Sequence, residues 1–304
     1  MADKDVWTDL LDPDEDELAE AVSAELHGTA LQVLTRRRQT GGWVRIMLET
    51  HGAYILGVLL VPVAVPDEDR VFYQEVDLVV TRDSVITIRK TPSDDDPPFD
   101  RAELEETCSG EKKPALVLYR VLDAIAERYL ELMDSLEDEV DELEDGVENW
   151  SSARVRRRIS ELRHGMLHVR RAVAPTRDAV RRVVDGRLEL EGVDLFGSEL
   201  RIEFGDVYDK LLRATEGLDV ARELLSSARD HHQSKVAENQ NDVVKKLTVI
   251  ASLLLLPTLV VGIYGQNFDR FPELHWRLGY AFSWALIVGS TLVQLGLFRW
   301  RRWI

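Results

Sequence analysis

Hydrophobic residues follow three different periods along this chain. Between Thr29 and Lys90 they come in short dense runs. Thr29–Thr35, Trp43–Glu49, Tyr54–Val61, Val71–Thr81 and Ser84–Lys90 are rich in Val, Ile, Leu and Tyr. Gly41-Gly42, Gly52, Pro66-Asp67 and Asp83-Ser84 punctuate them, which predicts five strands joined by turns. Residues before about position 28 read as a polar leader with a short acidic helix. The segment TPSDDDPP at 91–98 is a break, and no strand signal returns after it.

The second period is helical. From Ala115 to Glu148, Leu122, Ile125, Tyr129, Leu132, Leu136, Leu143 and Val147 recur at spacings of three, four and seven, one face of a helix. Between Asp123 and Glu148 its other faces carry about a dozen Asp and Glu, with Arg128 as the only base. The next helix, Ser152 to Arg187, carries about eleven Arg. An acidic helix followed by a basic one predicts an antiparallel pair held partly by opposite charge; two solvated faces are the alternative, since exposed pairs contribute little. Without such a neighbour, or cations, the acidic helix would repel its own copies in an oligomer. Leu200 to Val244 is helical again, and nothing from Asp206 to Tyr264 breaks it strongly. Those 59 residues would span about 90 Å at 1.5 Å per residue, a stalk running into the next segment.

The third pattern is unbroken apolar sequence. Leu247–Tyr264 and Leu278–Phe298 carry no charged side chain. At roughly 18 and 21 residues each matches about 30 Å of hydrocarbon. Pro257 is tolerable in a membrane helix whose neighbours satisfy the freed carbonyl. Lys245 and Lys246 precede the first run, and Arg299, Arg301 and Arg302 follow the second. The connecting loop is mixed in charge, so both termini are expected in the cytoplasm. Trp276, Tyr280, Trp300 and Trp303 suit the interfacial belts. The acidic start, MADKDVWTDLLDPDEDEL, has no apolar core segment, so no signal peptide is expected. The expected division is 1–118, a cytosolic α/β domain; 119–244, acidic and basic helices plus stalk; 245–265, first span; 266–277, outer loop; 278–298, second span; 299–304, basic tail.

Charge narrows the partners. The formal net charge is −17, which argues against nucleic acid and suits a surface that concentrates cations. The single Cys108 fits a reducing compartment and excludes an internal disulfide. Adjacent His231 and His232 lack the spacing of a helical metal pair and are expected to be solvated. No phosphate loop, nucleophile elbow or hydrolase metal motif occurs, so an enzyme is not expected.

At the end of the first span stands Tyr264-Gly265-Gln266-Asn267. Spacing alone permits a plain helix end, where Gly and Asn are common. The surrounding sequence adds more. GIYGQNF followed by PELHW and a second span resembles the CorA family of divalent-cation channels and transporters, whose signature is YGMNF. Asn241-Asp242-Val243-Val244-Lys245-Lys246-Leu247-Thr248 is similar to that family's N-E-V-M-K-x-L-T stretch, and Gly205-Asp206-Val207-Tyr208-Asp209 to its RDVYD segment. The likeness covers the last hundred residues; the strand-rich part is similar only in the order of elements.

The resemblance implies an α+β membrane protein and a funnel-shaped homopentamer in the plasma (inner) membrane. Each copy would have a cytosolic α/β/α domain and a stalk helix continuous with the first of two transmembrane helices. Mg²⁺, or Co²⁺ or Ni²⁺, would move inward through it. Gly265, Gln266 and Asn267 would form the filter. Asn241, Val244, Leu247, Thr248, Leu255 and Thr258 would line the pore or gate it, with Asp269 and Glu273 as acids of the outer loop. Mg²⁺ dehydrates reluctantly, so a ring of amides that holds its water shell suits it, and an apolar constriction can gate by dewetting. Asp206 matches a regulatory carboxylate whose partner is sought among Asp67, Glu68 and Asp69. Gln266 departs from the family's Met. The ZntB branch, associated with Zn²⁺ and protons, also varies that position; His275 in the loop would fit zinc, though one His beside a Trp is more often an interfacial residue. Two rivals to a Mg²⁺ channel therefore stay open: a Zn²⁺/H⁺ transporter, and a non-conducting membrane protein that senses cations.

Overall fold

The computed structural model describes residues 6–37, 44–65, 70–92, 98–266 and 276–303. It divides into two compact units, Met1–Arg229 and Asp230–Ile304.

The first unit is built on a five-stranded sheet of order β1-β5-β4-β3-β2. The strands are β1 (Trp7–Leu11), β2 (Met47–Thr50), β3 (Ile55–Val65), β4 (Arg70–Val80) and β5 (Val85–Arg89). β1 runs parallel to β5, and the other pairings are antiparallel. β5, the sequence VITIR, is buried at every position. A strand covered on both faces is buried throughout, and its two polar residues, Thr87 and Arg89, are paired with β1. On one face, helices α1 (Glu15–Ala21) and α2 (Gly28–Thr35) cover Leu56, Val79, Ile86 and Ile88. On the other, Ile55, Leu59, Val76 and Leu78 pack in the larger core with α3 (Arg101–Cys108), α4 (Pro114–Asn149), α5 (Ser152–Val184) and the start of α6 (Ser198–Tyr264). The unit is thus an α/β/α sandwich. Tyr129 of α4 donates its hydroxyl to Leu60 O of β3 at 2.9 Å, so the long helix is tied to the sheet by a buried bond.

Two expectations are corrected. Thr29–Thr35 is not a strand but helix α2. Ala30 and Leu34, four apart, are its buried pair, and a seven-residue apolar run fits either period. The acidic leader contains strand β1, whose partner lies some 78 residues away. Trp7 Nε1 donates to Thr87 Oγ1 at 3.1 Å, and Asp9 accepts from Thr87 at 2.9 Å and from Arg89. The Asp9–Arg89 ion pair is almost fully buried, so the acid that made this segment look like a leader is an internal partner. The other strands differ from expectation only at their ends, apart from β2, which begins at Met47.

The acidic and basic helices are α4 and α5, adjoining in the chain and packed in one core. Arg158 reaches Glu139 at 3.3 Å with both groups largely shielded. At their turn, a Cβ on Gly146 would lie 2.5 Å from the Trp150 ring, and Arg154 stacks over that ring at 3.9 Å. Only glycine permits so close a cap.

The sheet face under α2 holds a buried charge cluster. Lys90 Nζ lies 2.7 Å from Asp77 Oδ2 and 3.4 Å from Glu75 Oε1, with all three side chains shielded from solvent. It also donates to Val33 O of α2. The half-exposed Arg36 approaches Glu75 at 3.3 Å. Glu75 Oε2 and Asp77 Oδ1 have no hydrogen-bond partner among the described residues. Desolvation pushes the Asp77 carboxyl up to about 7, against the opposing pull of Lys90. A carboxyl with a raised folded pKa contributes stability that is full below its ordinary value near 4 and is lost as pH rises through about 7. Lys90→Met should lower unfolding stability at pH 7.5 by about 3–5 kcal/mol, because it strands buried acids. The deficit should shrink at pH 5, where Asp77 holds its proton. Denaturant titration of the detergent-solubilised chain at the two pH values checks this; a pH-independent deficit would contradict it.

Candidate ion pathway

In the second unit, the end of α6 and helix α7 (Gly279–Trp300) are both long and apolar enough to cross a membrane. α6 itself begins at Ser198, eight residues before Asp206, and continues through Pro257 to Tyr264, 67 residues in all.

The last part of α6 has two unlike faces. Val249 and Val260 are buried, and Ser252, Leu253, Leu256, Pro257 and Tyr264 are half-buried. This side meets α7, where Gln294 donates to Ser252 O at 3.3 Å. The opposite face carries Asn241, Val244, Thr248, Ala251, Leu255, Thr258, Gly262 and Gly265, all exposed in the single chain. Val244 is 60% and Leu255 72% exposed. These eight positions alternate spacings of three and four, a strict seven-residue repeat. A straight α-helix drifts about 20° per heptad against such a repeat. Helices that keep it aligned therefore coil left-handed around one another.

Five of the six expected lining residues, Asn241, Val244, Thr248, Leu255 and Thr258, lie on this stripe. Leu247 lies one position off it and is 61% exposed. Ala251 and Gly262 complete the repeat and were not anticipated. Their small side chains give no hydropathy signal, but the repeat itself would have found them. Thr248 donates its hydroxyl to Val244 O at 2.8 Å and Thr258 to Leu254 O at 2.6 Å. Each hydroxyl spends its one proton inside the helix and offers only lone pairs outward.

The helix ends at the Gly-Gln pair. Gly265 N–H donates to Val261 O at 2.9 Å and Gln266 N–H to Ile263 O at 3.2 Å. Gly265 is not among the glycines with positive φ, so the left-handed helix cap is absent. A Cβ there would sit 3.1 Å from Val261 O, a tight contact. Gln266 is exposed. A cavity of about 740 Å³, lined in part by Pro257, Tyr264, Gly265, Tyr280 and Trp284, opens between α6 and α7 at this end.

The remaining expected site residues divide in two. Asn267, Asp269, His275 and Glu273, like Asp67, Glu68 and Asp69, lie outside the described residues. Asp206 is exposed on α6. Among the described residues, no group of three or more His, Cys, Asp and Glu side chains is placed to share a metal ion. His232, expected to be solvated, is buried at 7% exposure. Cys108 is buried, and burial raises its thiol to about 12.

The sequence profile of the CorA-like Mg²⁺ transporter protein family matches residues 3–301. The cobalt/magnesium transport protein CorA of Thermotoga maritima is 27% identical over 232 residues, 76% of this chain. The match spans 65% of that relative, less than two thirds of its length. The solved CorA magnesium transporter from Methanocaldococcus jannaschii has a TM-score of 0.80 at 23% identity, covering 98% of this chain and 91% of that one. The full-length CmaX protein has a TM-score of 0.68 at 22% identity, covering 98% and 88%. At those identities the likeness is one of fold.

If the stripe faces water, single cysteines at Ala251, Leu255 or Thr258 should react with a charged, membrane-impermeant maleimide in proteoliposomes. Cysteines at Val249 or Val260 should not. Cys108 supplies a silent background, being buried and protonated. Equal labelling of both faces would contradict the assignment.

Proposed function

The chain belongs to the CorA-like Mg²⁺ transporter protein family, and from that premise we propose that it is a divalent-cation channel carrying Mg²⁺ into the cell. The observation that carries the proposal is the stripe of eight residues in a seven-residue repeat on α6, which pairs small, hydroxyl and amide groups with exposed Val244 and Leu255. No lipid-facing helix gains from such a face, because polar groups in hydrocarbon are costly unless turned to protein or water. Several copies with this face turned inward form a lined pore. A pentamer, the plasma membrane and cytoplasmic termini are part of the same proposal.

Chemistry along the stripe suits a hydrated ion. A Mg²⁺ hexahydrate presents water protons outward, and Mg²⁺ gives up its waters reluctantly. The Thr248 and Thr258 oxygens, left as acceptors by their helix bonds, receive those protons without stripping the shell. At the outer end, a ring of Asn267 amides, shaped by Gly265, holds the hydrated ion in the filter, beside the loop acids Asp269 and Glu273. Val244 and Leu255, with Leu247 beside them, form apolar rings that stop conduction when they dewet. Asn241 sits at the inner mouth. The membrane potential is drive enough: a divalent charge gains about 4.6 kcal/mol per 100 mV. Asp206 supplies one half of a cytosolic Mg²⁺ site between copies, completed by an acid among Asp67, Glu68 and Asp69, and loss of that ion releases the stalk helices. Co²⁺ and Ni²⁺ are admissible by the same filter, whereas Gln266 is where selectivity is set apart from the family's Met.

Purified protein in liposomes with an inside-negative potential should take up Mg²⁺ without a pH gradient, and Asn267→Ala should reduce uptake at least tenfold. Zn²⁺ uptake alone, and only with a pH gradient, would favour a Zn²⁺/H⁺ transporter. No cation flux from a folded protein would favour a non-conducting sensor.

A further inference from the structure

The soluble unit carries a second pair of stripes, and they are charged. On α4, Asp134, Asp138, Asp141 and Asp145 are all exposed, at spacings of four, three and four. They form one acidic ridge, and none has a basic partner among the described residues. Like charges three and four apart destabilise a helix, so the ridge is held at a standing penalty. On α5, Arg156, Arg163 and Arg170 are exposed at intervals of seven. Arg156 donates to Ser152 Oγ at 3.3 Å. Arg163 and Arg170 have no acidic partner among the described residues.

The two ridges are in register. Arg158 meets Glu139 across the hairpin at 3.3 Å, which fixes the antiparallel level of the helices. Stepping outward from that pair sets Arg156 level with Asp141, and Arg163 level with Asp134. Both ridges repeat every seven residues, about 10.5 Å along a helix. A rotation about an axis near-parallel to the hairpin keeps those levels, so one copy's α4 ridge arrives at the height of the next copy's α5 ridge.

We infer that α4 and α5 form a head-to-tail interface between copies, the acidic ridge of one chain against the basic ridge of its neighbour. The inference rests on the oligomeric channel reading and adds where the cytosolic units touch. Such a heterologous contact closes into a ring when the rotation divides the circle. In a chain of formal charge −17, a contact that matches acid to base avoids the repulsion of like-charged faces. Each exposed pair alone contributes little. The two matched pairs, Asp134 with Arg163 and Asp141 with Arg156, set orientation and disfavour an α4–α4 pairing, which is the usual role of charge at an interface.

The test uses the full chain in detergent. Two differently tagged versions are co-expressed, one carrying Asp134→Cys and the other Arg163→Cys, and are treated briefly with a short bismaleimide. Every chain carries one new thiol, so a cross-link between tags is intermolecular. The mixed sample should give several-fold more cross-linked dimer than either version alone. Native mass spectrometry on the same sample reads the oligomer independently. An intact oligomer whose mixed cross-link is no greater than the single-version controls would overturn this interface and leave the channel reading standing. Single chains only would overturn both. Charge exchange gives a second readout: Asp134→Arg or Arg163→Asp should each weaken association of the cytosolic units, and the two together should restore it. Failure of the double variant to recover would also overturn the inference.

Discussion

A helix that crosses hydrocarbon must account for every polar group it carries. Lipid offers no hydrogen bonds and no screening, so polar groups left unsatisfied by the helix itself have to face protein or water. In this chain the membrane end of α6 meets the requirement on one side only. Val249, Leu253, Leu256 and Val260 pack toward α7, and Gln294 of α7 bonds to Ser252 O. The opposite side, from Asn241 to Gly265, has no cover in a single copy. Its strict heptad spacing suits a coiled bundle of identical helices, and the residues it presents suit a water-filled centre. The proposed assembly, pore lining and gate all rest on that uncovered face.

The first unit meets the opposite constraint, since it buries charge in a dry place. Lys90 between Glu75 and Asp77, and Arg89 on Asp9, tie β1, β4, β5 and α2 together. Buried ion pairs of this kind contribute little net stability, yet removing one partner is strongly destabilising. The Asp9–Arg89 pair joins the N-terminal β1 to β5, which runs parallel to it. On the far side of the sheet, charge is kept at the surface in the two ridges of α4 and α5. The same currency thus specifies the inside of the domain and, on the inference drawn above, its neighbours.

Long elements were legible in the sequence because their periods are long. The α4 and α5 helices, the two spans and the continuity of α6 through Pro257 could be read from repeats over many turns. Short elements were not. Thr29–Thr35 fits a strand as well as a helix, and only its packing under the sheet decides for α2. β1 was hidden because its acid answers an arginine 80 residues away, a contact no local window contains. Within the ion path, the amide and hydroxyl positions stood out chemically, whereas Ala251 and Gly262 did not. Small residues show their role only by completing the repeat. The family likeness carried the filter reading at Asn267, and local spacing alone did not.

The central claim is that the uncovered face of α6, and not its neighbour toward α7, is the ion path. Leu255 and Leu256 are adjacent, chemically identical and about 100° apart on the helix, with Leu255 on the exposed stripe and Leu256 on the α7 side. Mg²⁺ flux into proteoliposomes should be compared for Leu255→Asn and Leu256→Asn. The first would wet the proposed apolar ring and should raise flux several-fold at high internal Mg²⁺, the condition under which the proposed gate is closed. The second should leave flux near that of the unaltered protein. Equal effects, or a larger effect at Leu256, would contradict the account.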